Sequence, residues 1–154
     1  MHILVLSDFF PPQVNSGAEK IAFEISSEYV LKGHQVSVIT INKSLQRGEL
    51  IIDKKEKITC YQIGFEYNTK LSGYLGVFNP KILKIINNII LNNNFKVAHI
   101  HNIHAYISYS IISLLKKYSI PAILTVHDSM SVCYGKHDQG VFNGDTSLEA
   151  RVDY

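Results

Sequence analysis

The sequence predicts an α/β domain built on an open parallel sheet with helices on both faces. Three observations lead there. Short apolar runs, several of them β-branched, alternate along the chain with longer segments of helical period. Prolines and glycines gather mainly between those segments. The 154 residues are 46% hydrophobic and 18% charged, enough for one core and too apolar for a disordered chain.

The elements follow in order. Residues 2–7 (HILVLS) form a run apolar enough for a strand buried on both faces. Pro11 and Pro12 exclude helix and central strand from the loop over 8–15. Ser16-Gly17-Ala18-Glu19 fits a capping box, with Ser16 as N-cap and Glu19 reaching back to its amide. Ile21, Ile25, Tyr29 and Lys32 advance at helical spacing, and Gly33 is suited to end that helix. Residues 35–41 (QVSVITI) read as a second strand, so 2–41 form a right-handed βαβ unit.

Residues 42–79 are less regular, with a strand expected over 57–63 and a long loop or bent helix over 64–79. Asn79-Pro80 opens a helix whose apolar face carries Ile82, Ile85, Ile86, Ile89 and Ile90. Residues 97–101 (VAHIH) form the next strand. A helix is expected over 103–118, then a buried strand over 122–126. The tail from His127 shows no clear strand. The domain is expected to span 1–135, with an irregular tail over 136–154.

Fifteen Lys and Arg against thirteen Asp and Glu give a formal charge of +2, which is no nucleic-acid footprint; Lys54, Lys55 and Lys57 sit close together, but Glu56 interrupts them and they read as a solvated turn. Cys60 and Cys133 lie far apart and form no CxxC pair, so two reduced thiols are expected. The N-terminal apolar run is shorter than the ~7–15 residues of a signal-peptide core, and no run approaches the ~18 of a membrane span. A cytoplasmic location is the resulting expectation.

Ligands of open α/β sheets bind beyond the carboxyl ends of the strands. Three places qualify. At the first, the free amides of Gly17 and Ala18 open a helix whose dipole favours an anion, and Gly17 lets a phosphate or sugar approach the backbone. At the third, His127 and Asp128 follow a strand. An imidazole there can accept a proton or hydrogen-bond a hydroxyl, and Asp128 can orient it or reach the ligand. An ordinary capped helix and a His–Asp turn with local hydrogen bonds explain the same residues without a ligand.

The second place is His99-Ile100-His101-Asn102-Ile103-His104. His99 and His101 share a strand face, which invites a zinc reading close to the HxHxDH pattern of metallo-β-lactamase-like hydrolases. Ile103 stands where that pattern needs Asp, and no later His or Asp set completes it. The alternative has one histidine packed and another, His104, lining the cleft. GxGxxG, GxxxxGK[ST] and GxSxG are all absent, against a dinucleotide fold, a P-loop NTPase and an α/β-hydrolase.

The order of these segments resembles the N-terminal half of family-4 glycosyltransferases, which have a GT-B fold of two Rossmann-like domains. The similarity runs over residues 1–135, through Pro11-Pro12, Gly17-Ala18-Glu19, Gly33-His34, VAHIHNIHA and IPAILTVHDSMSVC. Ala18 stands where many members have a second glycine, and Lys96 where an Asp often precedes the histidine strand. The resemblance implies a retaining, metal-independent enzyme that moves a sugar from a nucleotide-activated donor to a glycan, lipid or small-molecule acceptor, as in polysaccharide or cell-envelope synthesis. It assigns His127 to the reaction centre and Gly17 with its neighbour Ala18 to the donor phosphates or sugar; Glu19, His104 and Asp128 join the expected substrate-binding residues from their places at the same strand ends. It implies no cofactor or metal, no nucleic-acid partner, and a second Rossmann domain carrying most nucleotide contacts and a Glu-x7-Glu segment, for which this chain has no room. Peripheral contact with the inner face of the membrane would suit such an enzyme. Two other readings stay open, a non-catalytic remnant or binding module of the same fold and the zinc hydrolase.

Overall fold

The computed structural model describes residues 1–12, 17–55, 57–65 and 72–127. The elements run β1 (His2–Leu6), α1 (Gly17–Leu31), β2 (Gln35–Asn42), β3 (Leu50–Lys55), β4 (Ile58–Gly64), α2 (Ser72–Val77), α3 (Pro80–Leu91), β5 (Val97–Ile100), α4 (Ile111–Lys117) and β6 (Ala122–Leu124). They build one six-stranded sheet in the order β3-β4-β2-β1-β5-β6. β4, β2, β1, β5 and β6 are parallel, as the alternation predicts. β3 adds an antiparallel edge through a hairpin with β4, pairing Leu50 with Ile63 and Lys55 with Ile58.

Side chains alternate along each central strand and feed two cores. Ile3 and Val5 of β1 join Val36, Val38 and Ala22 under α1. Leu4 and Leu6 join Ile39, Ile41, Ile63 and the α3 isoleucines Ile82, Ile86, Ile89 and Ile90 on the other face. That double burial explains why β1 and β2 read as nearly continuous apolar runs.

Helix α1 lies on the sheet through Glu19, Ala22 and Ser26, while Ile21 is 41% exposed. Ile21, expected on the buried stripe, therefore faces solvent, while Tyr29 of the same stripe packs against the core under α1. Small side chains let the helix approach the strands closely, and the buried Ser26 hydroxyl is satisfied by the Ala22 carbonyl at 2.7 Å. Ser16, the expected N-cap, falls outside the described residues. Gly33 closes the helix at φ 83°, with its amide donating to Val30 and that of His34 to Tyr29. A Cβ at Gly33 would meet nothing within 4 Å among the described residues, so the backbone conformation is what resists a side chain. Gly33→Ala is expected to cost about 1–2 kcal/mol by urea unfolding.

Asn79 caps α3 as the sequence predicts, accepting from the Ile82 amide at 3.4 Å. The helix expected over 103–118 forms only as α4. Residues 101–110 instead make a turning loop: Ser108 has a φ of 78°, and the amides of Ala105, Tyr106 and Ile107 are taken by Asp8. β6 is shorter than expected and exposed, Ile123 at 57%, where burial was predicted. Among the described residues β6 has a strand on one side only, which is why its apolar residues reach solvent. The tail over 136–154 and Cys133 lie outside the described residues. No described helix is long and apolar enough to cross a membrane.

Candidate functional site

From β1 the chain crosses by α1 to β2, and β5 lies on the opposite side of β1. The loops after β1 and β5 therefore part company at the carboxyl edge, which is the switch point where open sheets bind ligands. Asp8 stitches this point together. Its Oδ2 accepts the Ala105 amide at 2.7 Å, and its Oδ1 accepts those of Tyr106 at 3.1 Å and Ile107 at 2.7 Å. Its own amide donates to Asn102, and its carbonyl accepts from the Ile41 amide and the Thr40 hydroxyl. One buried residue thus ties the ends of β1, β2 and β5. Burial pushes its carboxyl up to about 7, the three amides pull the other way, and the charge of Glu19 adds to the rise.

The turn held by Asp8 begins beside His104, which is half-buried. Asn79 braces it from α3, its side-chain amide donating to the Tyr106 carbonyl at 2.7 Å. The loop after β2 adds positive charge to the same edge. Lys43 Nζ lies 4.8 Å from the Phe9 ring centroid and 5.3 Å from that of Tyr106, and Arg47 stacks 4.9 Å from Phe65.

A line of three imidazoles runs up the α1 face toward this edge. His99 bonds through Nδ1 to the Tyr29 hydroxyl at 3.0 Å and through Nε2 to the Thr125 hydroxyl at 2.7 Å. His101 follows, its ring centroid 4.3 Å from that of His99. His101 Nδ1 lies 2.9 Å from His127 Nε2, and the two rings stack at 5.2 Å. Burial holds His99 below the usual imidazole range, with the charge of His127 adding to this. Burial, then His99 and His127, push His101 down to about 3. Among the described residues no three His, Cys, Asp or Glu side chains are arranged to hold a metal ion.

Gly17, Ala18 and Glu19 form the first turn of α1 at the carboxyl edge, where Gly17 is exposed and Glu19 is buried, only 5% exposed. A Cβ on Gly17 would meet nothing within 4 Å among the described residues, which leave the space over its backbone open. His127 is half-buried just past β6, also at the carboxyl edge. Asp128 lies outside the described residues. Asp8 had no expected role, and His101 was expected only as a metal ligand or a packed ring. A lone acid ending an apolar run was the only signal for Asp8, because its partners lie almost a hundred residues away.

Residues 15–151 match the model of Glycosyltransferase Family 4. The chain belongs to that family. A solved structure described as trehalose-6-phosphate from E. coli bound with UDP-2-fluoro glucose is similar over 82% of this chain, at 14% identity and a TM-score of 0.48. The similarity covers 32% of that protein, so the family-4 chain here spans about a third of its length. No curated protein sequence matches it.

Proposed function

We propose that this chain is the N-terminal, acceptor-side domain of a retaining glycosyltransferase that takes a sugar from a nucleotide-activated donor. Family membership supports sugar transfer as the reaction class. The observation that carries the residue roles is the carboxyl edge itself, where the open start of α1 and the half-buried His127 follow parallel strands of one sheet.

In this reading the bond between the sugar's anomeric carbon and the donor phosphate breaks, the acceptor hydroxyl oxygen bonds to that carbon on the face the phosphate leaves, and the hydroxyl proton passes to the departing phosphate oxygen. Negative charge grows on the departing phosphate. The Gly17 and Ala18 amides and the α1 dipole stabilise it, with Lys43 adding positive charge at the rim. His127 contacts the sugar, and Asp8 keeps the His104 turn in place without touching substrate. A second Rossmann domain supplies the nucleotide contacts. Retention and independence of metal follow from the family resemblance.

The test joins this chain to a family-4 C-terminal domain and follows sugar transfer from nucleotide sugars. Turnover supports the reading, and its absence across donors argues for a binding module. Gly17→Ala sharpens the result. Its Cβ has room, so stability is expected to change by no more than about 0.5 kcal/mol. Transfer is expected to fall by roughly tenfold or more, because the methyl group holds the donor off the amides. Unchanged transfer would remove Gly17 from the site.

A further inference from the structure

The stacked pair His101–His127 has a consequence for what His127 can offer a ligand. His101 is 1% exposed, and its Nε2 is buried without a hydrogen-bond partner among the described residues. Its Nδ1 lies 2.9 Å from His127 Nε2, so one ring donates and the other accepts. Two arrangements of neutral rings are possible. If His127 donates from Nε2, the proton of His101 must sit on its own Nε2, giving a buried N–H with no acceptor. If His101 donates from Nδ1, its Nε2 keeps only a lone pair. An orphaned buried N–H is the rarer and costlier state, whereas an unsatisfied acceptor is better tolerated.

We infer that His101 is a positioning residue: by donating from Nδ1 into His127 Nε2, it fixes His127 as the Nδ1–H tautomer. His127 then presents an N–H, not a lone pair, to the ligand. The charge state of His101 agrees, since burial keeps its ring neutral in the physiological range. His127 Nδ1 has no partner among the described residues and is the nitrogen left to meet substrate. The group it recognises is an acceptor oxygen, such as that of a sugar hydroxyl, and His127 does not act there as a general base. This rests on the proposed contact between His127 and the sugar for its functional meaning, but not for its chemistry.

The tautomer is read directly from ¹⁵N shifts and ring-proton correlations of His127 at mildly alkaline pH, where imidazoles are neutral. In the native protein Nδ1 is expected to give the pyrrole-type signal and Nε2 the pyridine-type signal. His101→Phe keeps the ring volume but removes the donor, and should shift His127 toward the Nε2–H form favoured by free imidazole side chains. His101→Asn restores an N–H near the Nδ1 position and should restore the native pattern. A pyrrole-type Nε2 on His127 in the native protein would overturn the inference, and that spectrum decides even if a variant fails to fold. Sugar transfer unaffected by loss of His127 would instead reject its contact with substrate while leaving the tautomer result standing.

Discussion

Asp8→Ala is expected to lower stability by about 3 kcal/mol, because it leaves one buried and two partly buried amides without their acceptor, at ~1–3 kcal/mol for a fully buried one. Those amides belong to Ala105, Tyr106 and Ile107, whose loop forms the wall of the switch point. Hydrogen exchange should accelerate first in residues 101–110. Asp8→Asn is milder, about 1–3 kcal/mol. Its carbonyl oxygen can serve Tyr106 and Ile107, but its amide then faces the Ala105 N–H, donor against donor.

The same residue shapes the response to pH. Folded Asp8 holds its proton up to about 7, whereas the unfolded carboxyl releases it near 3.8. Its contribution is therefore full below the unfolded value and is lost as pH rises through about 7. His101 acts in the opposite sense. Its folded value is pushed down to about 3 from 6.5, so its contribution is present above 6.5 and lost as pH falls through about 3. The two slopes oppose each other across most of the mildly acidic range. Asp8→Asn removes only the falling one. Its stability should climb with pH more steeply than that of the native protein, as measured by urea unfolding between about pH 4 and 7. Parallel curves would show that Asp8 does not titrate as its burial implies.

His127→Ala is expected to reduce sugar transfer by about 10²-fold in kcat, the usual loss when one preorganised donor is removed from a reaction centre. The effect should fall on kcat more than on KM if the contact strengthens as the sugar's bond to phosphate breaks. Truncation also leaves His101 Nδ1 without its partner, so stability should drop by about 1 kcal/mol, to be measured alongside. His127→Asn keeps a side-chain N–H near the position of Nδ1 and should retain part of the activity. Full activity in His127→Ala would remove it from the mechanism.

The parallel strands were legible in the sequence because β1 and β2 are buried on both faces, and such burial demands continuous apolar runs. The α3 boundary was equally plain, since Asn79-Pro80 carries its own cap chemistry. β3 was missed because Leu50-Ile51-Ile52 runs straight into Asp53-Lys54-Lys55, a half-apolar edge strand with no alternation. The helix expected over 103–118 was too long because Ile103 and Ile107 do fall at helical spacing. Their burial comes instead from a loop that Asp8 pulls out of the helix from across the chain. Ile21 misled for a related reason: close helix–sheet contact selects small residues, so the buried face of α1 is the less apolar one. Gly17, His104 and His127 could be placed at the carboxyl edge because strand ends are where sheet topology brings loops together. The role of His101 was not legible, since it depends on a ring contact with His127 that no local pattern encodes.

The most direct test is a crystal structure of this chain joined to a family-4 C-terminal domain, with a nucleotide sugar bound. The sugar should lie at the carboxyl edge with one of its oxygens about 3 Å from His127 Nδ1, and the phosphates should face the Gly17 and Ala18 amides. A nucleotide sugar bound in the cleft but touching neither His127 nor the start of α1 would contradict the account.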